Sequence, residues 1–391
     1  MPRSTKAKIN QKQLDAIAIK LNTIAVELKT AFLEMDSEIE SLIIGLIANE
    51  NVCLVGPAGE GKSNLTNAFT SLIGGSCFSY QINAFTQPDN VIGSPSLKEK
   101  RDNDRDIIKV DNMAPDSEIV YFDEVFKANN QMMNSLLLLL NEREVDIGEG
   151  QRLPTKNRMI IGSSNEYPED DELKAFWDRW VIRNEVKGLK KDSSFNAFWN
   201  GYGTGGIGVV DTKKAVKMAD IDKLRSNIWS VDSSTIFKNV VQLRFELMKA
   251  GISLSTRRWG KIKKILHAVA LRNGRLVSTK KDLNFLKHCI WQDSSQIDVI
   301  ETAIAEAMGG DLANANKTLA MANRIYKEIL TANIPDGPAG IPVIVGKFEE
   351  IKLCKTEVDK LDRSDADVDH VCHQVQNLVN LVAQLIQQRI A

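Results

Sequence analysis

Residues 56–63 read Gly-Pro-Ala-Gly-Glu-Gly-Lys-Ser and follow four apolar residues, Val52 to Val55. The octet fits G-x-x-x-x-G-K-[ST]. Such a loop grips a polyphosphate. Successive backbone N–H groups can surround that charge only if the chain bends tightly, and glycines permit the bend. A helix that starts at the loop's end turns its N-terminus toward the phosphates. Lys62 then reaches the β- and γ-phosphates, and Ser63 is a ligand for Mg²⁺. The expected phosphate-binding set is Gly56, Pro57, Ala58, Gly59, Glu60, Gly61, Lys62, Ser63 and Asn64.

A hydrolase needs a second element, an apolar strand ending in carboxylates. Residues 119–124, IVYFDE, supply one, and Asp123 follows Lys62 by 61 residues. Asp123 is expected to hold Mg²⁺ together with Ser63, and Glu124 to polarise the attacking water. A module that only sensed nucleotide would not need the second carboxylate. The chain carries no N-K-x-D guanine-reading motif, so ATP is expected rather than GTP.

These residues need a scaffold, and the chain has the length for one. Its 391 residues suffice for two or three domains. The 50 basic and 51 acidic residues nearly cancel, so net charge gives no argument for nucleic acid or membrane. The five cysteines are scattered and odd in number, which suits a reducing compartment rather than a disulfide framework. No apolar run approaches the roughly 20 residues of a membrane span, and the basic start lacks a secretory pattern. A cytoplasmic protein is expected.

Helical periodicity covers 10–35 and 38–48. From 51 to about 190, apolar strand-like runs (52–55, 77–82, 119–122, 158–162) alternate with helical ones (62–73, 128–141), the pattern of a doubly wound parallel sheet. Residues 83–110 and 144–156 interrupt it and read as hairpin inserts. The stretch GYGTGGIG after Asn200 reads as a linker or mobile loop, since it lacks a following lysine. Residues 234–291 and 297–332 are helical. Three prolines and three glycines break the pattern over 333–346. Apolar positions 368, 371, 375, 378, 382 and 385 form a helix-packing seam. His370, Cys372 and His373 lie on that seam without a CxxC partner, which favours packing over a metal site.

The segment FDEVFKANNQMMNSLLLLLNEREV resembles its counterpart in the MoxR group of AAA+ ATPases, and most closely the RavA-type members: a DE pair, a helix, then Asn141-Glu142-Arg143. IIGSSNEYPEDDELKAFWDRWVIR, ISLSTRRWGKIKKILHAVALRNGR and DLNFLKHCIW continue the likeness in order over roughly residues 14–292. The resemblance implies an α/β fold: an αβα sandwich of the P-loop NTPase type (the AAA+ core) with an all-helical lid and a C-terminal helical extension. The expected division is core 1–190, linker or mobile loop 191–233, lid 234–294 and extension 295–391.

By the resemblance, Asn165 takes the sensor-1 place and orients water. Arg179 takes that of an arginine finger acting on a neighbouring subunit, with Arg183 as the rival, four residues on if the segment is helical. Arg257 takes the sensor-2 place and reaches back to the γ-phosphate, with Arg258 as its rival. Glu60 stands where the family usually has a small or apolar residue, so its carboxylate is expected to point away from the phosphates. A ring, by family analogy a hexamer, would hydrolyse Mg-ATP and remodel a client or insert a cofactor into it. The client would often carry a von Willebrand A domain. A nucleic-acid motor and a weakly hydrolysing, nucleotide-gated scaffold are the other classes. The first would need a basic pore, but the candidate insert KEKRDNDRD carries both signs. Intact Asp123, Glu124, Asn165 and Arg179 oppose the second.

Overall fold

A computed structural model of the chain describes residues 9–168, 171–203, 207–308, 310–331, 340–361, 363 and 366–390. Helix α1 (Gln11–Ala31) opens on a capping box: Asn10 Oδ1 accepts from the Gln13 N–H, and Gln13 Oε1 from that of Asn10. Its apolar stripe, Leu14, Ile17, Leu21, Ile24 and Leu28, is buried. Helix α2 (Asp36–Ala48) is buried almost all round, as its continuous apolar run requires.

Five parallel strands form the central sheet: β1 (Val52–Val55), β2 (Cys77–Gln81), β3 (Ile119–Asp123), β4 (Met159–Ser164) and β5 (Ile182–Glu185). Their spatial order is β5-β1-β4-β3-β2. Strand β1 is flanked on both sides, with Val52 level with Ile161 on one side and Ile182 on the other. Crossover helices α3 (Lys62–Leu72) and α4 (Asn130–Glu142) follow β1 and β3, and α5 (Asp171–Trp177) precedes β5.

Strand β5 was not legible in the sequence, and it corrects the reading of Arg183. The residue lies on a strand, not a helix, and is fully buried. Its Nε donates to the Trp180 carbonyl at 2.7 Å and an Nη to that of Trp177 at 2.9 Å. Its guanidinium lies 4.3 Å from the centre of the Trp177 ring. A charge so engaged is a core fixture and cannot serve a neighbour.

Both inserts form hairpins. Ser94–Pro95 pairs with Ile108–Lys109 around a short helix, Leu97–Asn103, and Glu144–Asp146 pairs with Arg152–Pro154. The two join where the Ile108 N–H donates to the Ile147 carbonyl at 2.9 Å. Gly148, at φ +99°, permits the approach: a Cβ there would meet the Asp106 carbonyl at 2.0 Å.

The expected linker at 191–233 is largely folded. It contains α6 (Asp192–Gly201), a strand Val216–Lys217 parallel to Ile73–Gly74, and α7 (Met218–Ser226). Val216, Met218, Ile221, Leu224 and Ile228 are buried. Their helical spacing, masked by flanking charges, was the missed signal. Thr204, Gly205 and Gly206, within the glycine-rich stretch, lie outside the described residues.

The chain forms two compact units, which cut across the expected lid. The first takes the described residues up to 232 and 255–278, so α9 (Thr256–Arg272) belongs with the sheet, packed on α2. The second takes 233–254 and the described residues from 279 onward. It comprises α8 (Phe237–Lys249), α10 (Ile297–Met308), α11 (Gly310–Thr331), α12 (Ile341–Val358) and α13 (Ala366–Ile390). Helix α12 starts inside the stretch expected to break all structure, since Pro342 is tolerated in a first turn. The seam on α13 is buried at Val368, Val371, Val375, Leu378 and Val382.

Arg183→Ala would leave two carbonyls unsatisfied and a void beside Trp177. The expected cost is about 3 kcal/mol of first-unit stability, read by urea unfolding. A change below about 0.5 kcal/mol would contradict the assignment to the core.

Candidate nucleotide site

The loop after β1 is shaped by its glycines. Gly59 and Gly61 have φ of +89° and +78°, and a Cβ on either would meet nothing within 4 Å. Gly56 is different. Its N–H donates to the Ser164 carbonyl at 3.1 Å, and a Cβ would meet the Val186 carbonyl at 2.2 Å. Thus Gly56 is set by packing between β4 and β5, while Gly59 and Gly61 keep an open concave surface. The first-turn N–H groups of α3 have no intrahelical acceptor and are the groups that hold phosphate oxygens in such loops. These features fit a polyphosphate. The Glu60 carboxylate leans toward Gly188, 3.1 Å from where a Cβ there would sit.

Lys62 is buried and draws the site together. Its ammonium donates to the carbonyls of Gly56 (2.5 Å) and Pro57 (2.7 Å) and to Asn165 Oδ1 (2.8 Å). Burial lowers its pKa; Asp123, Glu124 and Glu60 oppose that shift. Asn165 Nδ2 donates to Glu124 Oε1, so one amide links the loop lysine to the second carboxylate. Glu124 is 7% exposed and sits at φ +55°, a conformation uncommon outside glycine. Its Oε2 is buried without a hydrogen-bond partner, with Lys127 Nζ 3.4 Å away. Asp123 receives Ser63 Oγ at 3.3 Å on Oδ2 and Ser163 Oγ at 2.5 Å on Oδ1.

Two residues of this network, Tyr121 and Ser163, escaped sequence reading. Tyr121 donates its hydroxyl to Ser63 Oγ at 2.9 Å and lies 2.8 Å from Ser163 Oγ. It ties the loop serine to the serine that holds Asp123. Burial pushes its pKa up to about 12, so it stays a neutral phenol. The available signal was position: Tyr121 precedes Asp123 by two, and so shares its face of the strand.

The expected arginines lie elsewhere. Asn51 stands just before β1, and its Nδ2 donates to the carbonyls of Leu140 (3.2 Å) and Arg179 (2.9 Å). Arg179 is thus at the amino edge of the sheet, one strand length, about 13 Å for four residues, from the loop. An Nη of Arg179 donates to the Ala175 carbonyl at 2.9 Å, and Asp178 is 3.9 Å away. Arg257 is there too: its Nη2 donates to Asn141 Oδ1 at 2.8 Å. It does not reach back to its own chain's phosphate loop, which corrects the expectation. The reason is that α9 packs on α2, with its N-terminus beside Asn141 and Asp178. Arg258 is buried, held by the Asp178 carbonyl at 3.2 Å, whereas Arg257 is exposed. Of the two neighbours, Arg257 is the one a second molecule can touch.

A sequence model described as the MoxR domain of MoxR-vWA-beta-propeller ternary systems matches residues 19–226, just over half of the chain. The chain belongs to the MoxR group of AAA+ ATPases. A model of an AAA lid domain matches residues 235–304. Two proteins of Methanocaldococcus jannaschii, both called uncharacterized, are each 32% identical. One match covers 73% of this chain and 74% of the relative, the other 74% and 75%. The ClpB chaperone protein of Prochlorococcus marinus is 30% identical over 28% of this chain and 13% of its own. The crystal structure of a candidate ATPase from Cytophaga hutchinsonii superimposes with a TM-score of 0.60 at 19% identity. It covers 75% of this chain and 96% of that one, which shows a shared fold. The finer likeness to RavA-type members rests on the sequence motifs alone.

Tyr121 bridges Ser63 and Ser163, and through them it reaches Asp123. Tyr121→Phe removes the link between Ser63 and Ser163. The Mg²⁺ concentration at half-maximal ATPase rate is expected to rise about tenfold, with the fold intact by circular dichroism. An unchanged Mg²⁺ dependence would reduce Tyr121 to packing.

Proposed function

We propose that this chain assembles with copies of itself into a ring, hexameric by family analogy, and hydrolyses ATP between neighbours to remodel a protein client. One observation carries this reading. The phosphate loop and the exposed Arg257, with the half-buried Arg179, sit at opposite edges of one sheet. A single chain therefore holds both halves of a site but brings neither to the other.

Each residue then has a role. The loop from Gly56 to Gly61 and the first turn of α3, through Asn64, cradle the phosphates. Lys62 exchanges its loop carbonyls for phosphate oxygens. Ser63 and Asp123, aligned by Tyr121 and Ser163, would hold Mg²⁺, which when bound neutralises charge on the β- and γ-phosphates. Glu124 accepts the proton of the attacking water as that water adds to the γ-phosphorus and the bond to the ADP oxygen breaks. Asn165 orients both the water and Glu124. Arg179 and Arg257, presented by the next copy, stabilise charge on the transferring group. No covalent intermediate is needed; the barrier falls through position and field.

Differences in contact between ATP- and ADP-bound states would move the joined hairpins at 94–109 and 144–154 against a client. The description of the matching family model supports a partner with a von Willebrand A domain. The matches to ClpB support chaperone-like work. Five cysteines free of disulfides fit a reducing, cytoplasmic setting. Among the described residues no helix is long and apolar enough to cross a membrane.

The specific ATPase rate is expected to rise with protein concentration between nanomolar and micromolar as the ring forms. Glu124→Gln should keep ATP affinity within a few-fold and lower turnover about 10²-fold or more. Lys62→Ala should lose affinity itself. A flat specific rate, or normal turnover in the Glu124 variant, would contradict the reading.

A further inference from the structure

A second cavity, of about 350 Å³, lies in the same unit away from the phosphate loop. It opens near the amino ends of β1 and β4, between Asn49, Arg158, Asp222, Arg225, Trp229 and Lys264. Its charges do not balance. Asp222 accepts from Arg158 at 3.1 Å, and Lys264 is already paired with Glu50 at 3.0 Å, which also serves Lys261. One carboxylate, Asp222, thus faces the guanidinium groups of both Arg158 and Arg225, and the Nη1 of Arg225 is buried without a hydrogen-bond partner. Arg158 Nε is also buried and unpartnered. Burial, with Arg158 alongside and Asp222 opposing, brings the Arg225 pKa down to about 10. Arg143, from the Asn-Glu-Arg motif, is lowered to about 10 by burial, with Glu50 opposing the shift and Arg225 adding to it. Crowding guanidinium groups this way costs free energy unless an anion enters.

We propose that this cavity binds the phosphate group of a small phosphomonoester. Arg225 and Arg158 both line the cavity, and guanidinium groups suit a phosphate better than a point charge would. Asn49 lines the same cavity, and its side-chain amide can meet a hydroxyl of the ligand. Trp229 stands at the rim, 64% exposed, braced edge-on by His267 at 5.6 Å. Its face is open to stack on a flat ring. A nucleoside monophosphate carries all three features, and inorganic phosphate carries one. The site stands apart from the hydrolytic one and does not depend on it.

The test uses the full chain with Lys62→Ala, which disables the phosphate loop. Inorganic phosphate and AMP are titrated by calorimetry into that protein, and into the same protein with Arg225→Gln. Saturable binding that weakens about tenfold or more with Arg225→Gln supports the site. Tighter binding of AMP than of phosphate, lost with Trp229→Ala, assigns the ring to Trp229. Equal binding of the two leaves the phosphate as the ligand and removes Trp229. Arg225→Gln should also raise Tm in phosphate-free buffer, because it relieves the crowding, and should abolish any rise of Tm with phosphate. If Arg225→Gln does not fold, Lys264→Gln, whose side chain is 22% exposed, takes its place in the titrations. No binding of either probe, or binding that neither variant weakens, would overturn the proposal.

Discussion

All strands of the central sheet run the same way, so the phosphate loop and the arginines at 179 and 257 hang from its two ends. The loop that grips phosphate must follow a strand, because only there do backbone N–H groups and a helix N-terminus converge. The arginines at 179 and 257 come just before β5 and at the start of α9, and are anchored near Asn51, where β1 begins. Strand β1 is short, but its about 13 Å exceeds what an arginine side chain spans. A site divided this way needs a second molecule, and the reading as a ring follows from that geometry more than from likeness to other proteins.

At the gripping end, one lysine sets the arrangement. Lys62 is buried among backbone oxygens and Asn165, with Asp123 and Glu124 offsetting the desolvation of its charge. Asn165 passes that order to Glu124, and Tyr121 with Ser163 passes it to Asp123 and Ser63. These contacts connect three strands and one helix, so the carboxylates of Asp123 and Glu124 are placed by the sheet rather than by a flexible loop. Rigidity of this kind is what charge stabilisation in a transition state requires.

Much of this was legible because it depends on local chemistry. The glycines of the loop and the carboxylates after an apolar run announce themselves at fixed positions, whereas Asn165 stood out only through the family resemblance. The sheet was legible from alternation, apart from β5. That strand carries Arg183 and Asn184, and a buried arginine looks like a surface residue until the two tryptophan carbonyls and the ring that receive it are known. The destination of Arg257 was illegible for a related reason. A residue type and a motif do not say which edge of a sheet a later helix will pack against. The structured stretch at 216–228 was hidden by the charges of α7, of which Asp220 is itself buried and Arg225 lines a cavity. The crowded arginines at 158 and 225 come from distant segments, and only tertiary structure brings them together.

The division of the active site is tested most directly by mixing two inactive proteins. Lys62→Ala lacks the grip but keeps its arginines; the double variant Arg179→Ala, Arg257→Ala keeps the grip but offers no arginine. Each alone should hydrolyse ATP at most at about 1% of the normal rate. Mixed in equal amounts under conditions where subunits exchange, they should regain a substantial part of it, because some boundaries pair an intact loop with intact arginines. If the two co-assemble, as shown by native mass spectrometry, and the rate stays at the level of the separate variants, the arginines do not act across the boundary and the account is wrong.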